Sequence, residues 1–143
     1  MADEHDKSIE QLAMDLAVSY AEIATTLRNL PIPVRLPEGL VQPKEAVDGM
    51  VRALELMDSE PLPEGVRLDI QTACASWLSA QDLLRLEVVT PRPYRIAGAT
   101  LCLLTASEAI IQAMEWLSTT RSNRTQRPRQ PAGGVPITRS EMT

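Results

Sequence analysis

Two segments far apart in the chain carry the same apolar row at seven-residue spacing: Ile9, Leu16, Ile23 and Leu30, and later Ile96, Leu103, Ile110 and Leu117. Positions seven apart share one face of an α-helix but fall on opposite faces of a strand, so each row predicts a long helix with a buried seam. Flanking rows widen both stripes, with Ala13, Tyr20 and Leu27 in the first and Ala99, Ala106 and Ala113 in the second. The 143 residues include two Trp, two Tyr and no Phe, so the core must be packed from Leu, Ile, Val, Ala and Met. Those side chains suit helices better than sheets.

Prolines divide the rest. Ser8-Ile9-Glu10-Gln11 has the form of a capping box and predicts a first helix over about 8–29. Pro31, Pro33, Pro37 and Pro43 then remove backbone donors and exclude helix, leaving an extended segment whose Ile32, Val34, Leu36, Leu40 and Val41 are too apolar for a free linker. It is expected to lie across the bundle as a crossover, although a Pro-rich segment of this kind also suits a peptide-binding module. A second helix over about 44–58 carries Val47, Met50, Val51, Leu54 and Met57. A third, over about 64–87, has Val66, Ile70, Ala73, Trp77, Ala80 and Leu84 at spacings of four and three, a bundle seam. The fourth spans about 94–118, and a second row of Ala97, Leu101, Leu104 and Ile111 makes its apolar face unusually wide. That helix is expected either at the centre of the bundle or in a subunit interface. The fold class is therefore all-α: a four-helix bundle over residues 1–120, followed by a disordered basic tail over 121–143.

Charge divides at the same place. Residues 1–120 hold nine Lys/Arg against eighteen Asp/Glu, a balance of −9, whereas residues 121–143 hold five Arg against one Glu, a balance of +4. An acidic body repels nucleic acid, and the tail arginines Arg121, Arg124, Arg127 and Arg129 are the candidate anion contacts. Without interleaved aromatics that signal is weak. The acidic start of the chain lacks a secretory pattern, and no uncharged stretch, Ile96 to Ser107 included, reaches the ~20 residues of a membrane span, so a cytoplasmic location without membrane contact is expected. Cys74 and Cys102 fit apolar helical positions and are read as reduced core residues.

The chemistry-bearing inventory is short. One His, His5, precedes the expected first helix, and no Gly-rich phosphate loop or Cys-x-x-Cys spacing occurs. No catalytic, metal or cofactor residues are assigned. Glu108 and Glu115 share a face of the fourth helix and are the candidate polar handle of a ligand pocket, for which Met50, Met57, Met114 and the tryptophans would be lining. Solvated Glu is the commoner outcome at such positions. Leu101, Leu104, Ile111 and Trp116 are the candidate interface. These features favour a non-enzymatic helical interaction protein, a homodimer that binds a protein partner. A small-molecule-binding bundle or minor enzyme, and weak nucleic-acid association through the tail, are the alternatives.

Overall fold

The structure, a computed structural model, describes the backbone of residues 2–126 and the side chains of residues 3–121. Four helices, α1 (Ala2–Arg28), α2 (Pro43–Leu56), α3 (Glu64–Val89) and α4 (Arg95–Gln126), with a 3-10 turn at Met57–Ser59, form an all-α bundle without a strand among the described residues. The seams lie where the periodicity places them. Leu16, Ile23, Leu27 and Leu30 are buried at α1, as are Val66, Ile70, Ala73, Trp77 and Ala80 on α3 and Ala99, Leu103, Ala106, Ile110, Ala113 and Leu117 on α4.

Trp77 Nε1 donates to the Leu16 carbonyl at 2.9 Å, and His5 near the start of α1 meets Glu87 near the end of α3, so these helices are antiparallel. Arg121 donates to Asn29 Oδ1 at 2.7 Å just past α1, which makes α4 parallel to α1. The central place belongs to α3. It packs on α1, α2 and α4, most extensively on α4, while α2 packs on neither α1 nor α4. The wide apolar face of α4 is thus not the sign of a central helix.

Two helix boundaries differ from the sequence expectation. α1 begins at Ala2, which places the Ser8 capping pattern inside a helix; Asp3 and Glu4 in its first turn favour the earlier start by offsetting the positive end of the dipole. α4 continues to Gln126 instead of stopping near 118, since no proline interrupts it before Pro128. The first residues assigned to the tail are therefore helical, and residues 127–143 lie outside those described. By length and composition α4 is also apolar enough over Arg95–Arg121 to cross a membrane, because only Glu108 and Glu115 interrupt it. Here one face of that stretch is packed in the bundle.

The crossover runs back along the bundle to connect α1 with α2. Val34 and Leu36 are buried, and the Val34 N–H donates to the Leu27 carbonyl at 3.0 Å, whereas Ile32 and Leu40 remain exposed. Tyr20 Oη donates to the Pro37 carbonyl at 2.7 Å, and Ile32 N–H donates to the Glu60 carboxylate at 3.2 Å. Burial holds the Glu60 carboxyl above its ordinary pKa, partly offset by that N–H. Arg67 closes the α2–α3 turn by donating to the carbonyls of Met57, Glu60 and Leu62. The Met57 and Glu60 carbonyls also accept backbone N–H groups within the turn, so Arg67 adds second bonds to them and ties Leu62 to the same cation.

Gly49 lets α2 approach the crossover. A Cβ there would stand 2.7 Å from Pro37 Cδ, part of a ring that cannot rotate aside, whereas at Gly65 a Cβ would meet nothing within 4 Å. Gly49→Ala is expected to lower unfolding free energy by about 1–3 kcal/mol in denaturant titration. Gly65→Ala, under the same titration, is expected to be neutral or mildly stabilising.

Candidate functional site

The outer row of α4 is the most conspicuous surface. Leu101 is 64%, Leu104 56%, Ile111 49% and Met114 39% exposed, and Ala97 lies on the same row. This follows from the seam beneath. Ala99, Ala106 and Ala113 occupy the buried side, so the larger side chains of the neighbouring row are directed outward. α1 extends the patch with Met14, 63% exposed, and Val18, 60% exposed. Val18 and Leu104 line one cleft of about 310 Å³ between the two parallel helices, together with the polar Asp15, Ser19, Glu22, Thr100 and Ser107, so the two apolar rows flank a polar cleft. Ser19 Oγ in the wall of that cleft is buried without a hydrogen-bond partner, whereas the hydroxyls of Thr26, Thr100 and Thr105 bond back to carbonyls one turn earlier.

Of the candidate interface residues, the structure brings Leu101, Leu104 and Ile111 onto this face and sets Trp116 partly buried against the core. Glu108 and Glu115 are exposed on the outer side of α4 and line none of the three cavities described here. Met50 and Met57 are fully buried, so they do not line an open pocket with Met114. Arg121 is exposed and bonded to Asn29; the side chain of Arg124, and all of Arg127 and Arg129, lie outside the described residues. Met14 and Val18 were not legible as site residues, because a lone apolar residue on the flank of an amphipathic helix carries no signal of what it adjoins.

A second concave surface, about 660 Å³, opens between α1, the end of the crossover, the start of α2 and α3. Its α1 wall is small-residue helix surface, Ala13, Ala17, Ala21 and Ala24; its floor includes Leu16 and Trp77; Val41 and Ala46 stand opposite. The Tyr20 and Trp77 rings meet with centroids 5.5 Å apart, and both polar tips are already engaged, Tyr20 with Pro37 and Trp77 with Leu16. Burial, then the negative charges of Glu38 and Glu45, push the Tyr20 phenol above its ordinary pKa. Arg28 pairs with Glu38 at the rim. Gly39, at φ +86°, makes a turn that leaves Leu40 wholly exposed beside the groove. The left-handed backbone at this turn favours glycine. A third cavity, about 410 Å³, lies between the crossover and α2 beside Arg35, Arg52 and Glu60.

The clusters of ionisable groups read as structural. Among the described residues no group of His, Cys, Asp and Glu has metal-binding geometry. Cys74 and Cys102 are both free thiols, and burial pushes Cys74 up to about 12, which makes it inert as a nucleophile. His5, expected outside the first helix, is helical, and its Nε2 lies 2.7 Å from the buried Glu87 carboxylate. The other Glu87 oxygen accepts the Arg92 N–H at 2.8 Å. This trio joins the start of α1 to the α3–α4 turn. Comparison with protein-family models, curated proteins and solved structures finds no match to this chain.

The Arg92 N–H and then His5 hold the Glu87 carboxyl below its ordinary value of 4.5. A lowered folded-state pKa stabilises the fold above the unfolded value, and that contribution is lost as pH falls through the lowered one. Thermal melts from pH 7 to pH 2 are therefore expected to show Glu87→Gln less stable at neutral pH, with a flatter acid limb than the parent chain.

Proposed function

We propose that this chain is a non-enzymatic helical interaction protein that forms a homodimer through the outer face of α4 and offers the assembled bundle to a protein partner. The observation that carries the reading is the exposed apolar side chains Leu101, Leu104 and Ile111 on one face of α4, with Glu108 between the last two, and Met14 and Val18 on the neighbouring α1, all about half exposed or more. Side chains of this kind scattered singly need no explanation, but several on neighbouring faces of two helices, interspersed with carboxylates, suit a docking surface with a polar component.

A second copy is the occupant that this face suits. A two-fold contact pairs the same patch with itself, and an antiparallel pairing of two α4 helices centred on Leu104 sets Leu against Leu. In that register Glu115 falls beyond the start of α4 of the second copy, at the level of Pro93, and Glu108 falls opposite Thr100, so like carboxylates do not face each other. An Ala-flanked ridge with large side chains every three or four residues also matches helix packing in bundles.

Size-exclusion chromatography with light scattering at micromolar concentration tests this. Twice the chain mass is expected for the parent, and the single-chain mass for Leu104→Asp with unchanged helical circular dichroism. A parent chain that is monomeric and attaches to lipid vesicles, or a dimer indifferent to both Leu104→Asp and Leu101→Asp, would overturn the proposal.

A further inference from the structure

The groove on the other flank of α1 has a shape and a chemistry that specify an occupant. Its α1 wall runs from Ala13 to Arg28, fifteen residues of helix or ~22 Å, which suits an extended segment of six or seven residues better than a compact ligand. The Trp77 and Tyr20 donors are spent on internal carbonyls, so the groove offers mainly apolar surface, with Gln81 as a polar group beside Trp77. Leu40, fully exposed beside the groove mouth, adds apolar area that an occupant would cover. Acidic groups mark both ends. Glu38 stands at the rim beside Arg28, and Glu10 lies exposed one row beyond Ala13 on the same face of α1.

We propose that this groove is a peptide-binding site occupied by the chain's own C-terminal segment, with Val135-Pro136-Ile137 against the alanine wall and Trp77. Three observations point to that segment. It holds the only Val and Ile beyond residue 126, and Pro136 pre-sets an extended backbone. It begins in the right place, because α4 and α1 end side by side and Arg121 already touches Asn29. Its charges are spaced to match. Arg129 and Arg139 are ten residues apart, ~31–33 Å when extended, and flank the apolar triplet. From Glu10 to the level of the Arg28–Glu38 pair is eighteen helical residues, or ~27 Å, a span those two arginines cover with side-chain reach to spare. The tail then runs antiparallel to α1, with Arg129 toward Glu38 and Arg139 toward Glu10. Occupation in this way covers the apolar wall of the groove and draws the +4 tail onto the −9 body.

The site lies on a different face of α1 from Met14 and Val18, so its test is separate from that of the dimer. Amide hydrogen exchange on the full chain reads it directly. The amides of Val135, Ile137 and Thr138 are expected to exchange at least about tenfold slower in the parent than in Val135→Asp/Ile137→Asp. Ala17→Phe, which fills the groove from an exposed position and leaves the tail intact, is expected to abolish the same protection. Trp77 emission should move in parallel. Equal and unprotected exchange in all three chains overturns the proposal. Protection that grows with protein concentration overturns it as well, since the tail would then belong to another copy.

Discussion

The packing of α4 on α3 through alanine governs the rest of the molecule. Ala99, Ala106 and Ala113 on α4 and Ala73 and Ala80 on α3 are fully buried, with Ile70, Trp77 and Ile110 set among them. Interhelical distance depends on side-chain size at the contact, and alanines permit a close approach with little rotamer entropy lost. α4 buries Leu103, Ile110 and Leu117 beside these alanines, and its remaining large side chains have no place left in the seam. On α4 these are Leu101, Leu104 and Ile111, and they face out. The same economy recurs on α1, where Ala13, Ala17 and Ala21 leave a groove instead of filling one.

Much of this was legible in the sequence because periodicity is a local signal. The seven-residue rows on α1 and α4, the four-three seam of α3 and the proline-bounded crossover all reappear as buried faces or as the expected extended segment. What periodicity cannot convey is which of two apolar rows on one helix turns inward, since that depends on a partner helix distant in sequence. Leu101 and Leu104 therefore read equally well as core or interface from periodicity alone, and it is the burial of the Ala row that turns them outward. The start of α1 failed for a related reason. Ser8 offers a good cap, but the His5–Glu87 contact, 82 residues apart, lies beyond any local rule. The groove was invisible because its walls come from four elements, and no single one of them looks like a site. The polar handle sought in Glu108 and Glu115 rested on a shared face alone, and that face looks to solvent.

The surfaces left over define how the chain meets other molecules. The α4 patch and the groove are built from adjacent rows of α1, about 100° apart around its axis, Met14 and Val18 on one and Ala13 and Ala17 on the next. In the proposed arrangement, self-association covers the first and the C-terminal segment covers the second. Each offsets exposed apolar area that a bundle of four helices, with α2 docked on α3 alone, is too small to enclose.

Photocrosslinking tests the central assignment most directly. A benzophenone side chain at Gln112, on the solvent side of α4 next to Ile111, probes the proposed interface without replacing any residue of the patch. Irradiation at micromolar concentration should yield a covalent dimer whose crosslinks map to the first half of α4 in the second copy, about 95–104, as the antiparallel pairing requires. Crosslinks confined to other helices, or a wholly uncrosslinked chain, would contradict the account.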